Sequence, residues 1–459
     1  MTSRALKITA VAALCVGLTA CSTVRNAWPF GRDDGPRSRA TEGERVSIIQ
    51  FDQRLEANEA LAGVGFQLPE ARAVTEWSVP GGNPEQAVEH VSAAPAFEVA
   101  WRRDIGEGSK RKSQITATPV AAQGKIFTLD GEARVTATDA RTGARVWSAD
   151  LNPRIRRDRD AFGGGLAYAD GKVFVSSGFR FVAALDATNG AQLWKAEVSS
   201  PIHAAPTASG GRIFVTDVDN QIIAFNQADG QQAWSYQALV EPARILKASS
   251  PAVAGDSVIA PFSSGELIAI RAFNGNPVWS ETLARASRTN ALSEIRDIAG
   301  RPAVYRGDVY AVSHSGVFAA VDLRTGARKW ELPIASTSSP WPAGDVVYVV
   351  SLAGELAAVN RDSGQAYWVR DLNDNRSIRK TGGTLGFGRR ESPPVWTGPV
   401  LADNRLVMVN SYGEAVALDA TTGEVQKTIR LGAPAYIAPI AVDGMLYVVT
   451  DEGQLVAIR

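Results

Sequence analysis

Beyond about residue 96, short apolar runs alternate with turn residues in one recurring frame. A proline opens a short apolar strand, as in Pro119-Val-Ala-Ala, Pro251-Ala-Val-Ala and Pro439-Ile-Ala-Val. A turn of Gly, Asp or Asn follows, and then an alternating strand such as Val346-Val-Tyr-Val-Val. A second Gly turn leads to a Leu-x-Ala-like strand, a third turn, and a last strand with one large aromatic. The β-branched strand residues and the turn chemistry between them predict four antiparallel strands per unit.

The third turn is the most regular part. Asp322-Leu-Arg-Thr-Gly326 leads to Trp330, Asp139-Ala-Arg-Thr-Gly143 to Trp147, and Asp186-Ala-Thr-Asn-Gly190 to Trp194. Asn226 to Gly230, Arg271 to Gly275 and Asn360 to Gly364 lead in the same way to Trp234, Trp279 and Trp368. A further copy, Asp419 to Gly423, has Lys427 in the tryptophan position. Copies recur every ~38 to ~59 residues, the spacing of an array with one small sheet per repeat. In the copies that begin with Asp the acid can hydrogen-bond the N–H groups ahead of it, and in every copy the glycine supplies a positive φ.

Four-stranded sheets repeated radially predict an all-β, eight-bladed β-propeller. The last repeat stops at Leu455-Val-Ala-Ile-Arg459, short of an outer strand, while Phe97-Glu-Val-Ala-Trp101 reads as a tryptophan strand without a unit of its own. Trp101 should therefore complete the final blade and close the ring. The seven tryptophans Trp101, Trp147, Trp194, Trp234, Trp279, Trp330 and Trp368 are expected to fill the wedges between blades, with each ring N–H offered to a neighbouring carbonyl. The joint at Lys427 should be looser.

Composition narrows the chemistry. Lys plus Arg and Asp plus Glu both total 48 in 459 residues, so no global field attracts nucleic acid. The two cysteines, Cys15 and Cys21, lie near the N-terminus, which leaves the body without a disulfide, a thiolate metal site or a cysteine nucleophile. Residues 1–21 read as an export signal: a basic start at Arg4 and Lys7, an apolar stretch, and Leu18-Thr-Ala-Cys21, a lipobox in which Cys21 is acylated. Residues 22–95 read as a flexible tether followed by an extension lying on the body, with a brief helix opening at Asn83-Pro84-Glu85. The propeller spans 96–459. Its longest connections fall at about 280–300 and 369–394, the second a basic, glycine-rich loop without P-loop spacing. Gly163-Gly-Gly165 is assigned to close backbone packing at the central channel.

The Asp-x-x-Thr-Gly-x-x-x-Trp frame resembles the tryptophan-docking repeat of the quinoprotein (PQQ) propeller superfamily. With a lipobox, a tether and about eight undecorated blades, the chain resembles the BamB family of outer-membrane β-barrel assembly lipoproteins. That resemblance implies a non-enzymatic scaffold without cofactor or metal, anchored at the periplasmic face of the outer membrane. It further implies binding to the periplasmic POTRA domains of BamA, within the Bam complex, in support of outer-membrane protein insertion. The family's contact surface maps here to Arg244, Ile245, Leu246 and Lys247 and to Glu294, Arg296 and Asp297; Ala299 stands where the family carries an acid. Two other readings are a PQQ-dependent dehydrogenase and a propeller that binds cell-wall polysaccharide. The first needs oxygen ligands for a divalent cation, an Asp base and usually a vicinal cysteine pair, and the pair is absent from the sequence.

Overall fold

The computed structural model describes residues 55–459 apart from 62, 112, 155–160, 242–244, 246–248, 285–294, 375–378 and 382–389. Cys21, the tether and the first part of the extension therefore lie outside the described residues.

Eight four-stranded antiparallel sheets follow one another as a ring of blades. Blade 5 is representative: Ala303–Tyr305 innermost, then Asp308–Val312, Phe318–Asp322 and Arg328–Leu332. Its two middle strands are almost wholly buried, while in the outermost only Trp330 is buried. The same gradient runs through the other blades, because each middle strand has a sheet on both faces whereas the outer strand meets solvent. Blade 8 joins the two ends of the propeller: Val99–Asp104 pairs antiparallel with Gln454–Ile458, which sets Trp101 opposite Ala457. The expected closure is the one found.

The turns behave as their residues dictate. In blade 5, Asp322 Oδ1 accepts from the Thr325 N–H at 2.8 Å and from its hydroxyl at 2.8 Å, and Gly326 follows at φ 75°. Asp139 and Thr142 repeat the arrangement at 2.7 and 2.6 Å. The Thr hydroxyl first, and then its N–H, hold the Asp322 and Asp139 carboxyls below the ordinary carboxylate range.

What the repeat alone does not reveal is where each tryptophan goes. The Trp279 ring of blade 4 lies on Gly326 of blade 5, where an added Cβ would sit 2.7 Å from the ring, and Trp279 Nε1 donates to Leu323 O at 2.8 Å. Trp147 on Gly190 and Ala187 O, Trp234 on Gly275 and Ala272 O, and Trp330 on Gly364 and Arg361 O follow the same rule. Glycine is thus required twice in each copy, once for its φ and once because the preceding blade's indole fills the place of a side chain. The Lys427 joint differs for a stated reason. Blade 8 offers no Asp-x-x-x-Gly turn there; Lys427 Nζ instead donates to Ala96 O at 3.0 Å, and the adjoining Phe97 is fully buried. The Lys427 side chain is 44% exposed there.

Two local expectations change. Asn83-Pro84-Glu85 opens a chain of turns and not a helix: Asn83 Oδ1 accepts from Ala87 N–H at 2.8 Å, but Gln86 and Glu89 have φ of 60° and 43°. The peptide groups that a helix would use internally serve the blades instead, with Pro84 O accepting from Val253 N–H and Glu85 O from Val304 N–H. Tertiary hydrogen bonds outbid the local capping signal. The basic connection of blade 6 to blade 7 is not a plain loop, because Arg379–Thr381 pairs with Arg390–Ser392 as a two-stranded hairpin.

The extension does more than lie on the body. Trp77 N–H donates to Ala121 O of blade 1, Tyr168 N–H of blade 2 to Ser78 O, and Val91 N–H to Leu401 O of blade 7. Trp77 is fully buried and stacks on Trp341 of blade 6 with centroids 6.3 Å apart, while Trp341 Nε1 donates to Glu89 O at 2.7 Å. His90 bridges Pro69 O at 2.7 Å and the Asn404 N–H at 2.8 Å, which fixes it as a neutral imidazole protonated on Nδ1. One strap therefore spans the inner-strand turns from blade 1 to blade 8, where Ala94 N–H meets Gly444 O.

Candidate functional site

Two regions could carry function: the loops around the fourth and fifth blades, and the axis of the ring.

Of the loop residues expected from the sequence, Arg244, Leu246, Lys247 and Glu294 lie outside the described residues. Ile245, Arg296 and Asp297 are described, and they belong to one patch. Asp297 Oδ2 accepts from the Ile245 N–H at 3.3 Å, so one side chain ties the connection between blades 3 and 4 to the loop before blade 5. Asp297 is 4% exposed, and its carbonyl also accepts from His314 N–H at 2.8 Å. That burial makes Asp297 the clamp that sets the loops, whereas Arg296 beside it is exposed. Ile245 is half-buried between them.

Two further residues of this patch escaped the sequence reading. Leu239 and Val240, just after the outer strand of blade 3, are 67% and 62% exposed. The backbone at Leu239 is held on both sides: its N–H donates to Glu266 Oε2 at 3.1 Å, and its carbonyl accepts from Asn220 Nδ2 at 2.5 Å. Two adjacent exposed aliphatic side chains, near an exposed arginine, have the composition of a modest protein-binding surface. The signal in the sequence was the apolar run Ala238-Leu-Val240 between Gln237 and Glu241, which periodicity alone assigns to a strand end.

At the axis, residues from all eight blades line a cavity of about 80 Å³. Of the three glycines Gly163, Gly164 and Gly165, Gly164 lines it, and all three pack closely: an added Cβ would sit 3.0 Å from His203, 2.1 Å from Ser176 O and 2.4 Å from the Ala205 Cβ respectively. Pro80 of the strap and Trp341 are part of its wall. Through the shared Thr116, Tyr436 and Ile437 it adjoins a vestibule of about 600 Å³ edged by Lys110, Arg111, Phe162 and Asp451. The residues present do not fit a bound quinone. The cavity is far smaller than the ~300 Å³ at which small-molecule pockets begin, and among the described residues no three His, Cys, Asp or Glu gather as metal ligands. Among the described residues, too, no helix is long and apolar enough to cross a membrane.

Comparison with known proteins bears on both regions. The chain is similar to "Outer membrane protein assembly factor BamB" of Vibrio cholerae, 28% identical over 356 residues that cover 77% of this chain and 86% of that relative. The proteins so named from Burkholderia pseudomallei and Shewanella oneidensis are 25% and 24% identical, covering 70% and 82% of this chain and 87% and 92% of theirs. Among solved structures, the crystal structure of BamB from Moraxella catarrhalis superposes with a TM-score of 0.63 at 19% identity, over 78% of this chain and 99% of that one. Quinohemoprotein alcohol dehydrogenase from Comamonas testosteroni gives 0.64 at 14% identity, over 84% and 81%, a likeness of fold alone. The family described as outer membrane protein assembly factor BamB matches residues 98–152, 131–370 and 371–459, which is the whole ring. With its eight blades accounted for by that match, this chain belongs to the BamB family of outer membrane protein assembly factors.

Proposed function

We propose that this protein is a non-enzymatic scaffold of outer-membrane protein assembly, a member of the Bam complex that binds periplasmic POTRA domains of a BamA-like subunit. The observation that carries this reading is the family match across the complete ring, from residue 98 to 459. The patch of Leu239, Val240, Ile245 and Arg296 is the docking surface in this reading, with Asp297 holding the loops in place. Acylated Cys21 anchors the chain to the outer membrane, and residues 22 onward tether the ring on the periplasmic side.

A rigid ring that presents fixed loops suits this work, since little ordering entropy is then lost on docking. The test is a charge reversal. Leu239→Asp combined with Arg296→Glu should reduce co-purification of the BamA-like subunit at least tenfold while leaving the thermal melt unchanged. An undiminished complex from a folded variant would remove the patch from the interface. Separately, Cys21→Ala should move the protein from the membrane fraction to the soluble periplasm; retention in membranes would reject the lipid anchor.

A further inference from the structure

The axis carries one residue that neither the fold nor the proposed docking explains. Thr118, Ala205, Ser250, Arg301, Ser339 and Ala438 each stand just before a proline that opens an innermost strand, and all line the axial cavity. Five of these are small. The sixth, Arg301, puts a full positive charge at the centre of the ring.

Its surroundings do not neutralise it. Among the described residues no carboxylate lines the cavity, and the Arg301 guanidinium has no ion pair with any of them. Its Nε is buried without an acceptor. Only its backbone is engaged, the Arg301 N–H donating to Ser339 Oγ at 2.9 Å. Arg301 lies deep in the molecule, so the surface it keeps accessible belongs to the channel. Burial pushes its pKa down to about 10, which still leaves it protonated at neutral pH. Arg301 keeps some accessible surface, but its Nε is shut off from water without an acceptor, which is unfavourable, and a filler for the axis would serve better as methionine or leucine. What shares the cavity wall with this cation instead is hydroxyl, from Thr118, Ser250, Ser338 and Ser339, while the Thr397 hydroxyl is spent on Tyr436 O. A guanidinium facing several hydroxyl donors without a competing carboxylate is the donor set of an oxyanion site.

We propose that the axial cavity binds a small oxyanion, a phosphate, sulfate or carboxylate group, held by Arg301 and the ring of hydroxyls and admitted through the vestibule. Pro80 brings the strap into the wall of the site, beside Trp341 of blade 6. At the mouth Lys110 is ion-paired with Glu107, and Arg111 and Asp451 both edge the opening, so the attraction for an anion comes from Arg301 inside and not from the rim. The volume of about 80 Å³ suits one such group and excludes a large ligand.

The experiment compares thermal melts and titration calorimetry of the full chain in phosphate, sulfate, acetate and chloride at matched ionic strength. At least one oxyanion should raise the melting temperature by roughly 2 °C or more over chloride, with a one-to-one isotherm. Stabilisation by acetate alone points to a carboxylate occupant, and stabilisation by phosphate or sulfate to an inorganic one. Arg301→Met should melt no lower than the parent in chloride and lose the oxyanion response. Thr118→Val with Ser250→Ala, which keeps the cation, should weaken binding of the same anion by about tenfold. Absence of any oxyanion-specific shift in the parent protein overturns the proposal. So does an equal shift in a folded Arg301→Met, which would mark adventitious binding elsewhere, and so does undiminished affinity in the double variant.

Discussion

Blade 5 contains two glycines that separate backbone freedom from inter-blade docking. Gly307 lies at φ 85° with nothing within 4 Å of an added Cβ, whereas Gly326 lies at φ 75° with the Trp279 ring 2.7 Å from that position. Gly307→Ala should therefore cost only the positive-φ penalty, about 1–2 kcal/mol. Gly326→Ala incurs the same penalty and also forces the indole away, adding ~1–3 kcal/mol of overpacking strain. Displacing the ring stretches the Trp279 Nε1 bond to Leu323 O as well, so the upper part of that range is expected. Urea unfolding followed by tryptophan fluorescence gives the comparison, and repeating it in a Trp279→Ala background closes a double-mutant cycle. With the ring removed, the excess cost of Gly326→Ala should vanish. Equal costs for the two glycines in the parent protein, or an excess that survives Trp279→Ala, would refute docking as the reason for the conserved spacing of turn and tryptophan within each copy.

Three further outcomes follow from the same geometry. Trp279→Phe should cost about 1 kcal/mol more than Trp368→Phe in urea midpoint terms, because Trp279 Nε1 bonds Leu323 O while Trp368 Nε1 is buried without an acceptor among the described residues. The Trp368 partner is taken: Ala420 O accepts instead from the Tyr348 hydroxyl at 2.8 Å. On pH, the Asp322 carboxyl sits below its ordinary pKa through the Thr325 hydroxyl and N–H, so its contribution is present above the ordinary carboxylate pKa of about 3.9 and fades as pH falls through the lower folded value. The stability gap between the parent and Asp322→Asn should accordingly narrow below about pH 4, and a constant gap would reject the turn as its source. Asp297→Ala should loosen the docking patch without opening the ring, seen as faster amide exchange at Ile245, whose N–H it holds at 3.3 Å, with exchange in the blade cores unchanged.

The division between what the chain announces and what its folding decides is visible in particular residues. Strand, turn and blade are local events, set by alternation, by the Asp-Thr hydrogen bonds and by glycine, so a linear reading reaches them. Ring closure was legible too, because Trp101 stood apart as half a motif and the last repeat lacked the other half. The acceptor of each indole was not, since Trp279 and Gly326 belong to different copies and the spacing within a copy does not say which neighbour is met. The strap was half seen: its apolar residues marked a contact, but Trp77 on Trp341 and Val91 on Leu401 are pairings across hundreds of positions. The helix expected at Asn83 failed for the same reason, its peptide groups being claimed by Val253 and Val304. Arg301 shows the limit most plainly. In the sequence it is one arginine before one proline; only the closing of eight sheets about a common axis turns that position into the centre of the molecule and leaves its charge facing a cavity lined by no carboxylate among the described residues. Local chemistry sets the parts, and the long-range contacts that determine which groups lose their water set the sites.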